Sequence, residues 1–302
     1  MGSTLARSYL YAPGSRQALL SKVFTAGADA VVLDLEDSVP AGDKDRAREQ
    51  VSAALAGASG EGLEIWVRIN PLEGDQWLHD LQVLGSAAAG VRVPKCESAA
   101  GLADLDSELA RAELRLGLEA GALAVVCLIE SARGVAAAPE LAAHPRVVRL
   151  AFGAADFVAD VGASPRRPEA TLTARSLLVL ASRAAGLLPP IASVWTDLED
   201  EAGLRASTLE NRQLGFFGRS CIHPRQLAVV HQEHAPSAAE LEQARDVVIS
   251  WQQAVGAGSA TAVSSAGRFI DPAVLRQAQG LLELAGVVPD STANSGGSGR
   301  GA

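Results

Sequence analysis

The chain has 302 residues, of which 48% are hydrophobic and 20% charged, and its net charge at pH 7 is −9. This length and apolar content suffice for one large α/β domain or two smaller ones. The negative charge argues against a nucleic acid or an anionic membrane as partner, because proteins that bind such surfaces carry an excess of Lys and Arg.

Two features of the sequence indicate a cytoplasmic protein. The first residues, MGSTLARSYL, lack the apolar segment of a signal peptide, and no apolar run reaches the roughly 18 residues of a membrane span. The cysteines Cys96, Cys127 and Cys221 are far apart and form no C-x-x-C pair. We therefore expect small core cysteines, with neither a disulfide framework nor a zinc site.

The N-terminal segment is basic although the whole chain is acidic. It contains Arg7, Arg16 and Lys22, and no acidic residue precedes Asp29. A chance local excess of cations and a small phosphate-binding patch both fit this pattern. The residues alone leave these two alternatives open.

Eight short runs rich in aliphatic and β-branched residues alternate with helix-length segments. In chain order they are SYLYA, DAVVLDL, EIWVRIN, GVRVPK, LAVVCLIE, VVRLAFG, PIASVW and FFGRSCIH. This alternation predicts an α/β fold of the TIM (β/α)8 barrel type over residues 1–235, with an open doubly wound sheet as the alternative. No G-x-G-x-x-G motif follows the first run, which disfavours a dinucleotide-binding domain.

Residues 236–289 are predicted to form a C-terminal helical extension. A helical pattern over about 238–255 precedes the Gly/Ser-rich stretch GAGSATAVSSAG, which is typical of a flexible linker. The segment RFIDPAVLRQAQGLLELAG follows and predicts a mobile lid helix. Residues 290–302 have no apolar periodicity and are predicted to be disordered.

Polar residues follow the predicted strands, and in a parallel barrel these positions meet at one mouth. Side chains alternate along a strand, so Asp34 and Glu36 share one face of the second strand. The residues expected at the mouth are Glu36, Asp37, Arg68, Asn70, Lys95, Glu130 and Asp156.

Four carboxylates in one cavity require cations, because neighbouring like charges raise each other's pKa. Glu130 and Asp156 offer oxygen ligands without His or Cys, and such a set suits Mg²⁺ better than Zn²⁺. Each acid also lies just before a predicted helix, so a role in capping that helix is the alternative. The residues alone do not decide between the two.

Eight motifs occur in the order RSYLYAPGSR, DLEDSV, VRIN, PKCES, LIESARG, AFGAADF, CIHP and FIDPAVLRQA. Together they resemble the β-subunit of citrate lyase and its stand-alone relatives in the HpcH/HpaI aldolase superfamily, which include citramalyl-CoA and malyl-CoA lyases. The resemblance spans nearly the whole chain. It implies a metal-dependent barrel enzyme that is commonly a homotrimer or hexamer.

The resemblance also implies roles for residues at the mouth. Glu130 and Asp156 correspond to the Mg²⁺ ligands, with Glu130 also next to the substrate, and Arg68 corresponds to an arginine that holds the substrate. We interpret Glu36 and Asp37 as groups that orient waters at the metal. Lys95 would then neutralise these two acids.

Two further roles follow from the resemblance outside the mouth. Arg16 and Lys22 have the spacing of an arginine and a lysine that bind the phosphates of coenzyme A. Asp271 corresponds to an aspartate that acts as general acid and base. We expect the C-terminal helix to deliver Asp271 to the site of its own or a neighbouring subunit.

The predicted activity is the Mg²⁺-dependent, reversible cleavage of a carbon–carbon bond in a 3-hydroxyacyl-CoA such as citryl-, citramalyl- or malyl-CoA. The products are an acyl-CoA and oxaloacetate, pyruvate or glyoxylate. Two alternatives are a subunit of a citrate lyase complex that acts on an acyl-carrier-protein thioester, and a CoA-independent aldolase of the pyruvate type. A Cys221/His223 nucleophile is disfavoured, because nothing in the sequence orients the base.

Overall fold

The computed structural model describes residues 5–58, 62–164 and 168–287. The chain divides into two compact units, residues 1–234 and residues 235–302. This division falls one residue before the end of the predicted barrel segment. The predicted disordered tail, residues 290–302, lies outside the described residues.

The first unit is built on seven parallel strands. They are β1 (Ser8–Pro13), β2 (Ala30–Asp34), β3 (Glu64–Arg68), β4 (Gly90–Val93), β5 (Ala124–Ile129), β6 (Val147–Phe152) and β7 (Arg219–Cys221). They form one curled sheet in the order β6-β5-β4-β3-β2-β1-β7. Consecutive strands are therefore neighbours from β1 to β6, and β7 pairs with β1.

Helices connect these strands, as the alternating pattern predicted. The helices of the first unit are α1 (Gln17–Val23), α2 (Lys44–Ala56), α3 (Gln76–Leu81), α4 (Ala99–Leu116), α5 (Ala132–Ala142), α6 (Ala154–Asp160), α7 (Leu172–Ala184), α8 (Glu201–Leu214) and α9 (Arg225–His234). The predicted α/β class with a parallel sheet is confirmed.

The segment predicted as the seventh strand of a barrel is shorter than expected. Ile191 bridges to β6 and Ala192 bridges to β7, but the segment forms no strand of its own. It begins with Pro189 and Pro190, which have no backbone N–H to donate to a sheet. Within the described residues, the parallel sheet thus has seven strands, whereas eight strands in a closed barrel were predicted.

The two faces of the sheet have different cores. Alternate residues such as Leu33 and Val67 belong to the main hydrophobic cluster that includes residues of the helices. The residues between them, such as Val32 and Trp66, form a smaller cluster with Tyr9 on the other face. All three cysteines are buried and free, as predicted.

The second unit consists of two helices and a short hairpin. Helix α10 (Ala238–Gly256) begins with a capping box, and α11 (Pro272–Leu284) follows the antiparallel pair β8 (Ala262–Val263) and β9 (Phe269–Ile270). The Gly/Ser-rich stretch predicted as a flexible linker therefore contains the strand β8 and ends in the turn between β8 and β9.

Burial explains why the Gly/Ser-rich stretch is structured. Ala262 and Ile270 are buried in the same apolar cluster as residues of α10 and α11. The backbone N–H of Ser265 also donates to both carboxylate oxygens of Asp246 on α10, at 3.1 and 3.3 Å. The predicted mobile helix α11 is thus part of a small core within its own unit.

No helix among the described residues combines the length and the apolar character required to cross a bilayer. The cytoplasmic location stays a prediction.

Candidate metal and substrate site

The site begins with an ion pair between the last residues of two neighbouring strands. Asp34 ends β2 and Arg68 ends β3, and the two are in register. Arg68 donates from Nε to Asp34 Oδ1 at 2.6 Å and from Nη2 to Asp34 Oδ2 at 2.7 Å. Burial alone would raise the pKa of Asp34, but the bonds and charge of Arg68 lower it below the usual value. Asp34 is therefore ionised and fixes the orientation of the guanidinium.

Glu36 extends this pair into a network. It is buried, with Oε2 at 2.8 Å from Arg68 Nη1 and Oε1 at 2.9 Å from Lys95 Nζ. Burial raises the pKa of Glu36, although Arg68 and Lys95 act in the opposite direction and Asp37 adds to the rise. Asp37 is more exposed and lies 3.7 Å from Lys95 Nζ. Lys95 thus pairs with both acids, and its role at a metal site stays a prediction.

Glu130 is the most strongly perturbed carboxylic acid of the cluster. It follows β5, is 5% exposed, and accepts a hydrogen bond from the backbone N–H of Lys95 at 2.8 Å. Burial, with the nearby charges of Asp156 and Glu36, raises the pKa of Glu130 to about 8. The carboxylate is therefore held in a place where the chain's own cations do not balance its charge.

Two backbone features hold Glu130 in place. A Cβ on Gly153 would lie 2.5 Å from Glu130 Oε2, so the carboxylate lies directly against a backbone that tolerates only Gly. Lys95 has a φ of 50° and is the single non-glycine with positive φ in the described part of the chain. This left-handed conformation costs free energy. Lys95 adopts this conformation at the point where its backbone N–H contacts Glu130 and its side chain contacts Glu36.

Asp156 lies in the first turn of α6, shortly after β6, and its side chain is exposed. Its charge contributes to the raised pKa of Glu130, and the assignment of the two acids as metal ligands stays a prediction. Neither side chain caps its helix: the cap of α5 is Ser131, and α6 has no side-chain cap. This weakens the alternative that these acids serve only as helix caps.

The donor set fits a magnesium ion with few protein ligands. Glu130 and Asp156 supply only oxygen atoms, and a bound dication would balance the charge that now raises the pKa of Glu130. In the described ranges, no three His, Cys, Asp or Glu side chains come together as a metal cluster. The remaining coordination positions would be filled by water and substrate, as is usual for Mg²⁺.

Asn70 is fixed by hydrogen bonds to its neighbours at the strand ends. Asn70 is buried and donates from Nδ2 to Asp80 Oδ2 at 2.7 Å and to the carbonyl of Leu35 at 3.0 Å. Asp80 also accepts from Arg48 Nε at 2.8 Å. Asn70 is thus held in a buried network with Asp80 and Leu35, and its place at the mouth stays a prediction.

The basic N-terminal segment does not act as one patch. Arg7 donates from Nε and Nη2 to the carboxylate of Asp29 at 2.8 and 2.9 Å, and is thus occupied by a structural ion pair. Arg16 and Lys22 are exposed, one directly before α1 and one in its last turn. These two remain as the candidate phosphate-binding cations.

Asp271 belongs to the second unit, where it caps α11. Its Oδ1 accepts from the backbone N–H groups of Ala273 at 2.8 Å and Val274 at 2.9 Å. Pro272 follows as the first helical residue. The capping function is thus present, and the role of Asp271 as acid and base stays a prediction.

Sequence reasoning missed two aromatic–cation contacts below the strand ends. The Tyr11 ring centroid lies 5.2 Å from Cζ of Arg68 and 5.3 Å from Cζ of Arg92. Arg92 is fully buried and donates to Ser220 Oγ at 3.3 Å. Because side chains alternate along a strand, GVRVPK places Arg92 on the other face of the strand from Val91 and Val93. The position of Arg92 could therefore have been read from the sequence.

The Cys221/His223 pair has no features of a nucleophile and base. Burial raises the pKa of Cys221 to about 12, which keeps the thiol protonated. His223 lies beyond the end of β7, and its Nδ1 accepts from the backbone N–H of Arg225 at 3.1 Å. These observations support the sequence-based reasoning against this pair.

Comparisons with known proteins point to one family. Residues 7–224 match the model of the family described as HpcH/HpaI aldolase/citrate lyase. The citrate lyase subunit beta of Escherichia coli is 36% identical over 288 residues, which are 93% of this chain and 94% of that protein. The L-malyl-CoA/beta-methylmalyl-CoA lyase of Rhodobacter capsulatus is 32% identical over 93% of this chain and 95% of its own length.

Solved structures agree with these matches. The protein CitE from Mycobacterium tuberculosis in complex with magnesium, acetoacetate and coenzyme A is 30% identical, with a TM-score of 0.77 over 92% of this chain and 97% of that one. A citrate lyase beta subunit from the same organism, complexed with oxaloacetate and magnesium, is 31% identical, with a TM-score of 0.66 over 78% of this chain. The named relatives from E. coli and R. capsulatus are lyases, as the motifs predicted. The chain therefore belongs to the HpcH/HpaI aldolase/citrate lyase family.

Proposed function

We propose that this protein is a Mg²⁺-dependent carbon–carbon lyase that cleaves a 3-hydroxyacyl-CoA into an acyl-CoA and a 2-oxo acid. The observation that carries this proposal is the cluster at the strand ends. There the charge of Asp156 contributes to the raised pKa of the buried Glu130, while Arg68 is oriented by Asp34. Citryl-, citramalyl- and malyl-CoA are the candidate substrates.

Glu130 and Asp156 are the proposed magnesium ligands. When bound, the metal would hold a substrate carboxylate and the neighbouring hydroxyl group, and would lower the pKa of that hydroxyl. Structures of a Mycobacterium tuberculosis relative in complex with magnesium support the choice of this metal. Glu36, Asp37 and Lys95 would complete the charge balance around the ligands.

Arg68 is the proposed substrate-binding residue. A guanidinium has five N–H groups, and two of those of Arg68 donate to Asp34 while Nη1 forms an ion pair with Glu36, so further N–H groups are available. These can bind a substrate carboxylate or the oxygen on which negative charge develops. Because Asp34 holds the guanidinium on both Nε and Nη2, little reorganisation is needed when the substrate binds.

The reaction requires two proton transfers. The substrate hydroxyl loses its proton, the bond between C2 and C3 breaks, and its electron pair becomes the enolate of the departing acyl thioester. A carboxylic acid then protonates C2 of this enolate. Asp271 is the proposed group for these transfers, and we propose that the second unit brings it to the site of its own or a neighbouring subunit in a homo-oligomer.

Arg16 and Lys22 are proposed to bind phosphates of coenzyme A. Both are exposed, and no ion pair of the described residues involves either of them. Replacing both with Gln should weaken acyl-CoA binding and reduce its salt dependence, while the affinity for oxaloacetate stays unchanged. An equal loss for both ligands would contradict a specific phosphate contact.

A closed (β/α)8 barrel is also proposed. The bridges of Ile191 and Ala192 support it, since the N–H of Ile191 donates to Leu150 at 2.9 Å and that of Ser220 donates to Ala192 at 2.9 Å. These bonds link β6 to β7, the two ends of the seven-stranded sheet.

A second candidate function is the corresponding step within a citrate lyase complex, on an acyl-carrier-protein thioester. The match to the citrate lyase subunit beta of E. coli, at 36% identity over 94% of that protein, favours it. The two candidates share the same bond cleavage and differ in the thioester carrier.

The test is an assay of 2-oxo acid release from citryl-, citramalyl- and malyl-CoA, with and without Mg²⁺. Glu130→Gln should abolish the activity, because the amide is a weaker ligand for a hard dication. Glu140→Gln, at an exposed position on α5, is the matched control and should leave it unchanged. Activity that survives chelation or Glu130→Gln would overturn the metal assignment. Activity only with the carrier-protein thioester would favour the second candidate.

A further inference from the structure

Arg92 is a buried cation beside Arg68. It lies on β4 in register with Arg68 on β3, so both side chains lie on the same face of the sheet. Arg92 is fully buried, and its Nη2 donates to Ser220 Oγ at 3.3 Å. Its Nε and Nη1 have no hydrogen-bond partner, and within the described residues no carboxylate forms an ion pair with it. Arg68, in contrast, is paired with acids.

Two tyrosine rings hold the guanidinium of Arg92. The ring centroid of Tyr11 lies 5.3 Å from Arg92 Cζ, and that of Tyr9 lies 5.4 Å from it. The Tyr11 ring centroid also lies 5.2 Å from Cζ of Arg68. Cations are attracted to the electron-rich faces of aromatic rings. Tyr11 therefore contacts both arginines and fixes the position of one relative to the other.

Arg149, on the same face of the sheet, is bound differently. It donates from Nη1 to the hydroxyl of Tyr9 at 2.6 Å and from Nε to the carbonyl of Pro189 at 2.8 Å. Burial lowers the pKa of Arg149, and the charge of Glu64 acts in the opposite direction. The lack of acceptors and of an acid is thus particular to Arg92 in this pair of buried arginines.

Such an arginine costs free energy of folding. Moving an unpaired charge from water into the protein interior is unfavourable, and contacts with aromatic rings recover only part of that cost. Replacing buried ionic groups with apolar residues of similar volume is often neutral or stabilising. Stability therefore does not explain why Arg92 occupies this position.

The charges around Arg68 indicate a function for Arg92. Arg68 contacts the carboxylates of Asp34 and Glu36, and Lys95 also pairs with Glu36. The acids that orient Arg68 thus largely neutralise it, which opposes the binding of a substrate carboxylate. The charge of Arg92 offsets this loss, because a charge acts more strongly across the poorly hydrated interior than across water.

We infer that Arg92 is a positioning residue for the 2-oxo acid: its buried charge strengthens the binding of the anion at Arg68, and Tyr11 holds the two guanidinium groups in place. This inference rests on the proposed function. It adds to that function a residue that acts without touching the substrate, since Arg92 is fully buried.

The test is isothermal titration calorimetry of the full-length protein with oxaloacetate, pyruvate and glyoxylate in the presence of Mg²⁺. The variants are then compared with the 2-oxo acid that binds the wild type most tightly. Arg92→Met should weaken binding about tenfold, as expected for a unit charge about 10 Å away at an effective dielectric constant of about 20. Arg92→Lys retains the charge and should retain most of the affinity. Arg183→Met, at an exposed position on α7, is the control and should leave the affinity unchanged.

Two further measurements separate this role from a structural one. Urea unfolding should show Arg92→Met to be no less stable than the wild type, because the variant removes an unpaired buried charge. Tyr11→Leu retains Arg92 but removes the ring that contacts both arginines, so it should also weaken binding. Tyr11 is only partly buried, so this variant tests the inference even if Arg92→Met does not fold.

Unchanged affinity in Arg92→Met or in Tyr11→Leu would overturn the inference and leave the proposed function intact. An equal loss of affinity in Arg92→Met and Arg92→Lys would also overturn it, because the charge would then not be the cause. If the wild type binds none of the three 2-oxo acids, the proposed function fails and the inference fails with it.

Discussion

The pH dependence of stability should report on one buried histidine, His234, the last residue of α9. It is 2% exposed. Its Nε2 accepts from the backbone N–H of Gly218 at 2.8 Å, and its Nδ1 lies 2.9 Å from the carbonyl of Val230. The ring is therefore neutral with its proton on Nδ1, because a proton on Nε2 would face another donor.

The magnitude follows from proton linkage. Burial lowers the pKa of His234 to about 4, whereas a histidine in an unfolded chain has a pKa of about 6.5. The unfolded chain thus binds a proton more readily, so this contribution to stability is complete above the unfolded pKa and is lost as the pH falls toward the folded pKa. Integration gives a loss of about 2.5 kcal/mol between about pH 7.5 and pH 4.5.

Urea unfolding of the wild type, His234→Gln and the control His79→Gln over this pH range measures the effect. His79 is exposed on α3, so its variant should follow the wild type at each pH. His234→Gln should be less stable than the wild type near neutral pH, and the difference should shrink by about 2.5 kcal/mol on acidification. Carboxylic acids titrate equally in all three proteins, so a difference that stays constant with pH would refute the reasoning.

Three further predictions concern the proposed active site. Gly153→Ala would place a Cβ 2.5 Å from Glu130 Oε2, so Mg²⁺ affinity, measured by calorimetry, should fall about 10–100-fold. Gly42→Ala is the control, because its Cβ meets no atom within 4 Å and should leave Mg²⁺ affinity unchanged. Equal Mg²⁺ affinities of the two variants would contradict the placement of Glu130 as a metal ligand. Arg68→Lys loses the planar fork and should weaken oxaloacetate binding by about 1.5–3 kcal/mol; an unchanged dissociation constant would assign Arg68 a structural role. Asp271→Asn retains a capping oxygen, so the free energy of unfolding should stay nearly constant while turnover falls about 10²–10⁴-fold; wild-type turnover would reduce the residue to a helix cap.

The alternating pattern and the polar strand ends were readable from the sequence because both are local properties. A run such as DAVVLDLED specifies a buried strand, and the residue that follows a parallel strand must lie at the carboxyl edge of the sheet. Glu36, Lys95 and Glu130 were placed together on this basis. Their contacts in the structure agree with that placement.

The Gly/Ser-rich stretch shows why composition alone can mislead. Its small residues resemble a linker, but Ala262 in the stretch pairs with Ile270 beyond it, and both are buried. Whether a weakly apolar segment forms a strand depends on whether another element offers a surface that it can cover. That information is absent from the segment itself.

The sequence by itself determined the order of strands and helices, the family motifs and the carboxylates at the strand ends. Only the tertiary structure decided which charges meet, because each pair joins residues far apart in the chain: Arg68 with Asp34, and Arg175 with Glu210. It also left Arg219 buried without a carboxylate partner in the described residues. The physical reason is that a periodic pattern fixes the face on which a side chain lies, whereas its partner and its desolvation depend on how distant elements pack.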